Sequence, residues 1–326
     1  MESSNSSTEY TTFERVLSLT VGILLLLVSL GSVIANTLLL SAIYFDPLKC
    51  FRKVPIVFIT NLALADLLTG LLVDPLYAVY DFGIFQKKHY DTTLTVGDYN
   101  SYITVNNAIV TIIILTIDRS VAIKKPFLYR RVMTLKTAAI IVAISWMYSG
   151  FFSTFRLMGM SDEAYILLDT HLHVTFAFLS LTCLFGFIYS NLKAEKGRQL
   201  REVTSMNNID KATKKKLQEI KTDKRLLVTI FLILFIFFLT YSPYAIFIHL
   251  EFYCVTCRDS KVYYILSKTS EPVVYLNSVL NPFIYAWRHK NFRKALLWVV
   301  KCRGRRKQQA KRRENGTNPD NNTTEE

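Results

Sequence analysis

The sequence predicts an all-α membrane protein: a bundle of seven transmembrane helices followed by a short amphipathic segment. Three observations predict it. Of 326 residues, 51% are hydrophobic and only 20% charged, with a mean hydropathy of +0.25. Seven stretches are long enough to cross a hydrocarbon layer, which takes about 20 helical residues because no backbone polar group can be left unpaired in lipid. The 39 Lys and Arg residues, which bring the formal charge to +14, crowd between apolar stretches instead of among aromatics on one face. Their placement points to a membrane and excludes a nucleic-acid partner.

The first span lies between Arg15 and Asp46, with no Asp, Glu, Lys or Arg inside it. It is far longer than the apolar core of a secretory signal, and an acidic Ser/Thr-rich stretch precedes it, so it is read as a retained helix. The second, Val54 to Tyr80, contains Asp66 and Asp74. The third to sixth run between charged boundaries: Asp98 to Asp118, Lys136 to Arg156, Asp169 to Lys193, and Arg225 to Glu251. The seventh, Tyr263 to Trp287, contains Lys268 and Glu271. Pro243 and Pro282 predict kinks in the last two spans. Residues 1–15 then form an outer amino-terminal segment and 16–301 the helical domain, including the amphipathic segment 290–300. Residues 302–326 form a disordered tail, basic from Arg303 to Arg313.

Orientation follows from the basic residues of the short connections. The connections on one side hold 31 of the 39, and the amino-terminal side holds seven. The amino terminus is therefore expected outside and the tail in the cytoplasm. Asn5-Ser6-Ser7 is a glycosylation acceptor on the outer segment. Of five cysteines only Cys254 and Cys257 face an oxidising space, where they either form a local bridge or remain free thiols.

Ionisable residues inside a span are costly and mark function by default. Asp66 has no basic neighbour in sequence, so its partners must come from other helices. Asn277, Ser278 and Asn281 lie near one face of the seventh span by i, i+4 spacing, and Asn36 lies in the first. Such a cluster holds a cation or water, or else a protonated acid kept by hydrogen bonds. At the cytoplasmic boundary, Asp118-Arg119 reads either as ordinary snorkelling or, with Asp223 at the start of the sixth span, as a bridge that exists in one arrangement of the bundle only. Tyr241-Ser242-Pro243 and Asn281-Pro282-x-x-Tyr285 place two bent helices beside that bridge, which suits rigid-body movement.

In this order, Asn36, Leu62 to Asp66, Asp118-Arg119-Ser120, Trp146, Tyr189, Pro243 and Asn281-Pro282-x-x-Tyr285 resemble the rhodopsin-family (class A) G-protein-coupled receptors, over roughly Val16 to Lys301. The resemblance implies a receptor, not an enzyme, with no cofactor, that passes an extracellular ligand signal to a heterotrimeric G protein by movement of its third, sixth and seventh helices. It implies that Arg119 meets the G protein, that Tyr189 and Tyr285 stabilise the opened state, and that Phe127 forms an apolar tip against the G protein. It further implies that Asp66, Asn277, Ser278 and Asn281 form a sodium-sensitive pocket, that 290–300 lies on the membrane surface, and that Cys302 is palmitoylated. The tail offers few hydroxyls, namely Thr317, Thr323 and Thr324, so arrestin engagement is expected to be weak.

Departures from the family pattern narrow the resemblance. Ser120 follows the arginine where most members have Tyr, Tyr241 stands where many have Trp, and Leu181 replaces a usual proline. The usual disulfide is missing, because Leu94 holds its third-span position and the short loop 157–164 has no cysteine. This pattern is similar to the melanocortin, cannabinoid, lysophospholipid and adenosine receptor cluster. Of the three acids with which melanocortin receptors hold calcium and peptide, only Asp98 has a counterpart, Leu76 and Leu94 standing at the others.

Counting back from Arg119 and Pro282 gives the expected pocket walls: Asp98, Ser101 and Tyr102, then His173, Tyr244 and His249, and Glu271 with Tyr275, joined by Asp74. The acids there suggest a cationic or metal-assisted ligand, unless Asp98 and Glu271 merely pair with Arg156 or Lys268. Ser101 occupies the usual amine-anchor position, which disfavours a monoamine, and Tyr275 occupies the retinal-lysine position, which disfavours an opsin. Lys211, Lys214, Lys215 and Lys216 in the third inner loop are free to meet G protein or anionic membrane lipid. A transporter or channel is the competing class. No internal repeat or pair of broken helices supports it, and no nucleophile with a base supports an intramembrane enzyme.

Overall fold

A computed structural model describes residues 11–184, 186, 189–190, 211–258 and 260–301, with the side chains of 123, 211–227 and 230 outside the description. The spans are Thr12–Phe45, Val54–Phe85, Asp91–Lys124, Leu135–Leu157, Asp162–Leu184, Lys211–Tyr253 and Lys261–Arg288. A further helix covers 290–301. No strand occurs among the described residues. Six of these helices are long and apolar enough to cross a membrane. The seventh, which carries Lys268, Glu271, Asn277 and Asn281, is less apolar than these six.

Local chemistry sets the helix ends. Thr11 and Glu14 form a reciprocal capping box at the first span, with Glu14 N–H donating to Thr11 Oγ1 at 3.2 Å and Thr11 N–H to Glu14 Oε2 at 2.7 Å. That span ends at Asp46 in the left-handed region (φ 35°), whose carboxylate accepts from the Cys50 N–H at 2.8 Å. Thr134, Ser161 and Ser260 cap the fourth, fifth and seventh spans.

Two spans contain π-helical turns, at Thr69–Val73 and Thr170–Thr175. The first immediately precedes Asp74-Pro75. Pro75 has no N–H to donate, and the widened turn, in which the Asp74 N–H reaches back to the Thr69 carbonyl, accommodates it.

Charge-counting placed several boundaries too tightly. The third helix begins at Asp91 instead of Asp98, and the fifth at Asp162 instead of Asp169. Lys211, Lys214, Lys215 and Lys216, expected in a loop, continue the sixth helix. In each case the helix continues past a charged residue.

The core is built of Leu25, Leu39, Phe58, Leu62, Ile109 and Phe237, all essentially inaccessible. Because lipid is as apolar as leucine, polar and close-packing contacts must hold the spans together. The Trp146 Nε1–H donates to Asn61 Oδ1 at 2.7 Å and the Asn61 amide donates to Thr111 Oγ1 at 2.7 Å, joining spans four, two and three. Spans one and two meet at Gly70. Ser29 donates to its carbonyl at 2.7 Å, and a Cβ there would stand 2.9 Å from Ser32 Cβ.

The bundle has two chemically distinct ends. Thr12, Asp98 and the Cys254–Cys257 turn stand at one, called here the mouth. Phe45, Arg119 and Arg288 stand at the other, the basic end.

Candidate functional site

A cavity of about 180 Å³ opens among the spans at the mouth. Asp98, Ser101, Tyr102, Tyr244, Glu271 and Tyr275 line it, six of the eight residues expected there. The other two stand elsewhere. His249 is exposed on the outside of the bundle, its ring edge-on to His171 at 5.5 Å. Five residues beyond Tyr244, it has turned about 140° away from the wall. His173 is buried behind the wall, bonded through Nδ1 to Asp169 Oδ1 at 2.9 Å and through Nε2 to the Tyr148 hydroxyl at 3.0 Å. Asp74 is fully buried, with neither carboxylate oxygen hydrogen-bonded, but it does not line this cavity.

The acids of the wall differ in their partners. Asp98 accepts from the Tyr77 hydroxyl at 2.7 Å and from Arg156 at 3.1 Å, and Arg156 also holds Asp162 at 2.6 Å. Its charge is therefore compensated. Lys268 pairs with Asp81 at 2.8 Å and lies over the Tyr80 ring at 5.0 Å. Glu271 consequently has no hydrogen-bond or ionic partner among the described residues, and its wall neighbours are Tyr77, Tyr244, Phe247 and Tyr275. Tyr77 and Tyr275 stack at 5.8 Å, and the Tyr275 hydroxyl lies 3.1 Å from Ser101 Oγ.

Asp169, which also lines the cavity and accepts from the Asn106 amide at 2.7 Å, was missed by sequence reasoning. It had served only as a span boundary. Ser161 followed by Asp162 and Glu163 is a helix-start signal seven residues upstream, and it would have placed Asp169 two turns inside the helix.

Toward the middle of the bundle, Asp66 accepts from the Asn281 amide at 2.9 Å. The Asn36 amide donates to the Ser278 and Ser32 carbonyls, each at 3.0 Å, and the Ser32 hydroxyl donates to the Asp66 carbonyl at 2.9 Å. Asn277 and Ser278 are buried beside them. The polar atoms left over in this group, Asn36 Oδ1, Asn277 Oδ1 and Asn281 Oδ1, are all acceptors. An oxygen-rich, donor-poor core of this kind suits a small hard cation or ordered water. No group of three His, Cys, Asp or Glu side chains that could hold a metal ion occurs among the described residues.

At the basic end Arg119 is 7% exposed and closed into a three-membered network. It pairs with Asp118 at 2.5 Å and donates to the Tyr129 hydroxyl at 2.7 Å, while Tyr129 donates to Asp118 Oδ1 at 2.9 Å. Burial pushes the Tyr129 phenol above the ordinary tyrosine range, so it stays a donor to Asp118. Tyr129 belongs to a short helix, Pro126–Val132, that also presents Phe127, 89% exposed. The side chain of Asp223, the expected second partner of Arg119, lies outside the described residues, as do Asn5 and Cys302. Tyr285 is buried, its ring 5.9 Å from Phe292, which stacks on Phe51 at 4.5 Å. Tyr189 stands exposed past Leu184, and Tyr241 is buried against Phe237 at 4.3 Å, two residues before Pro243, which lies inside the sixth helix. Thr229 Oγ1 and His289 Nε2, 3.1 Å apart, tie the inner ends of spans six and seven. At the mouth, Cys254 and Cys257 are joined in a disulfide.

The family model for the 7 transmembrane receptor (rhodopsin family) matches residues 35–285. The chain belongs to the rhodopsin family of seven-transmembrane receptors. As a member of that family it is a multi-pass membrane receptor and not an enzyme. Over 302 residues it is 24% identical to adenosine receptor A3 of Ovis aries, covering 85% of this chain and 88% of that one. It is 25% identical over 305 residues to galanin receptor 2a of Danio rerio, covering 88% and 80%. It is also 25% identical over 329 residues to dopamine receptor 1 of Drosophila melanogaster, covering 87% and 62%. These three receptors are named for three different ligands, so the likeness carries the family and leaves the ligand to the geometry of the mouth.

Proposed function

We propose that this receptor recognises an extracellular ligand through a cationic group, ammonium or guanidinium, received by Glu271, and couples that event to a heterotrimeric G protein at Arg119. The observation that carries the reading is the unpartnered carboxylate of Glu271 inside an aromatic wall. A charge in such a place is costly until an opposite charge arrives, and the faces of Tyr77, Tyr244 and Tyr275 add cation–π attraction. Asp98 is already neutralised by Arg156, and Ser101 offers no charge at the amine-anchor position, so Glu271 is the free acceptor.

The amino terminus faces outside in this reading, because the basic connections gather at the opposite end. The buried Asp66, Asn277, Ser278 and Asn281 would hold sodium, which supplies a counter-charge to Asp66 in the resting bundle. Opening the inner end frees Arg119 from Asp118 and Tyr129 and brings it, with Phe127, against the G protein. The lysines of the sixth helix extension lie against anionic lipid or the G protein, and arrestin engages weakly at a tail with few hydroxyls.

A panel of amines, peptides, nucleosides and lipids, read by nucleotide exchange in cells expressing the receptor, tests this. The active compound is expected to be cationic, and Glu271→Gln to lower its potency about tenfold or more, as befits loss of a charged hydrogen-bond partner worth roughly 1.5–3 kcal/mol. A neutral or anionic agonist, or unchanged potency in Glu271→Gln, overturns the ligand reading. Arg119→Gln is expected to remove exchange at equal surface expression. Solute flux without any exchange would support the transporter class instead.

A further inference from the structure

A second cavity, of about 390 Å³, lies between the third, fourth and fifth spans on the face turned away from the bundle axis. That volume is within the roughly 300–1,000 Å³ of small-molecule sites. Its walls include Val110, Ile113, Ile114, Ile141, Ile144 and Phe176, and the last two are 53% and 58% exposed. These spans cross a membrane, so the open side of the groove meets hydrocarbon.

What distinguishes it from ordinary lipid-facing surface is one polar end, where Tyr148 and His173 join the lining. An aspartate carboxylate only accepts, so the neutral His173 ring carries its hydrogen on Nδ1 and donates it to Asp169 at 2.9 Å. Nε2 is then an acceptor, and the Tyr148 hydroxyl donates to it at 3.0 Å. Having given its hydrogen, the Tyr148 oxygen keeps its lone pairs and has no donor among the described residues. In a phase without water such an acceptor calls for a hydroxyl.

We propose that this groove binds a sterol whose hydroxyl donates to Tyr148 Oη and whose ring body lies along the isoleucine wall. Three features favour that occupant over a fatty chain. The wall is mostly β-branched, hence conformationally stiff, and a rigid body gives up less freedom on binding to it than a flexible chain does. Unsatisfied polarity is confined to a single end, since the one polar residue farther along the lining, Ser145, is buried and donates its hydroxyl to Asn107 Oδ1 at 2.8 Å. The directions of the spans put Tyr148 and His173 at the mouthward end and Ile114 with Ile141 at the other, which fixes the sterol hydroxyl toward the mouth. The chain from Tyr148 through His173 ends at Asp169 in the wall of the ligand cavity. An occupied groove thus restrains one of the groups that the ligand meets.

The experiment uses the purified full chain in nanodiscs with a photoreactive cholesterol carrying a ring diazirine, the labelled residues being read by mass spectrometry. Labelling is expected on spans four and five, displaced by cholesterol and two- to about tenfold less effectively by its 3-O-methyl ether, which cannot donate. Tyr148→Phe should weaken labelling by a similar factor, and Ile144→Trp should block it. Labelling spread evenly over all spans overturns the proposal. So does an ether that competes as well as cholesterol, or a monoacylglycerol that displaces the label equally. Should Tyr148→Phe fail to fold, the ether comparison on the unaltered chain decides the matter.

Discussion

Arg119 shows how a single side chain is held ready. Sequence pattern marked the Asp118-Arg119 pair, and the structure adds Tyr129, ten residues on, which accepts from the arginine and donates to the aspartate at once. Nothing in the spacing revealed Tyr129, because its helix folds back from a loop by tertiary contact and not by periodicity. Tyr129→Phe keeps the ring beneath the guanidinium, 5.5 Å from its centroid, but deletes both hydrogen bonds. Basal nucleotide exchange is expected to rise up to about tenfold, from roughly 1.5 kcal/mol of lost restraint. Equal basal exchange at equal surface expression would remove Tyr129 from the resting lock. At the mouth, the residues legible in sequence were those whose spacing follows an ideal helix. Asp169 was lost because a charge was equated with a boundary, and His249 was gained wrongly because, five residues beyond Tyr244, it falls on another face of the helix.

At the scale of an element, the spans themselves were legible because lipid imposes length and apolarity, whereas their irregularities were not. Neither π-helical turn leaves a mark in hydropathy. The first becomes intelligible only from Pro75, which removes a backbone donor, and the second has no proline near it. Small residues tell more. Gly70 sits where spans one and two approach most closely, and Gly70→Val would drive a side chain into Ser32 and the Ser29 carbonyl, 3.2 Å from the added Cβ. A cost of about 1–3 kcal/mol is expected, visible as a lower melting temperature of the detergent-solubilised receptor. An unchanged melting temperature would mean the two spans move apart freely there.

Taken as a whole molecule, the receptor encloses polar groups at two depths, Ser101 with Tyr275 near the mouth and Asp66 with Asn281 below them. Leftover acceptors beside the lower group favour a small cation, so sodium chloride should raise the melting temperature above that in N-methylglucamine chloride at equal ionic strength, by linkage to the resting fold. Asp66→Asn should abolish the difference. If both salts act alike on the unaltered receptor, water fills the lower group instead.

The Asp81–Lys268 pair has one more effect on this design. Lys268 stands three residues before Glu271 on the same helix, a spacing at which side chains are neighbours, and the Asp81 carboxylate, with the Tyr80 ring beside it, draws it toward the second span. Neutralising that acid leaves the ammonium nothing better to visit than Glu271, making it an intramolecular antagonist tethered beside the pocket. Asp81→Asn should therefore weaken a cationic agonist as strongly as loss of the glutamate does, while Asp81→Asn with Lys268→Gln restores its potency.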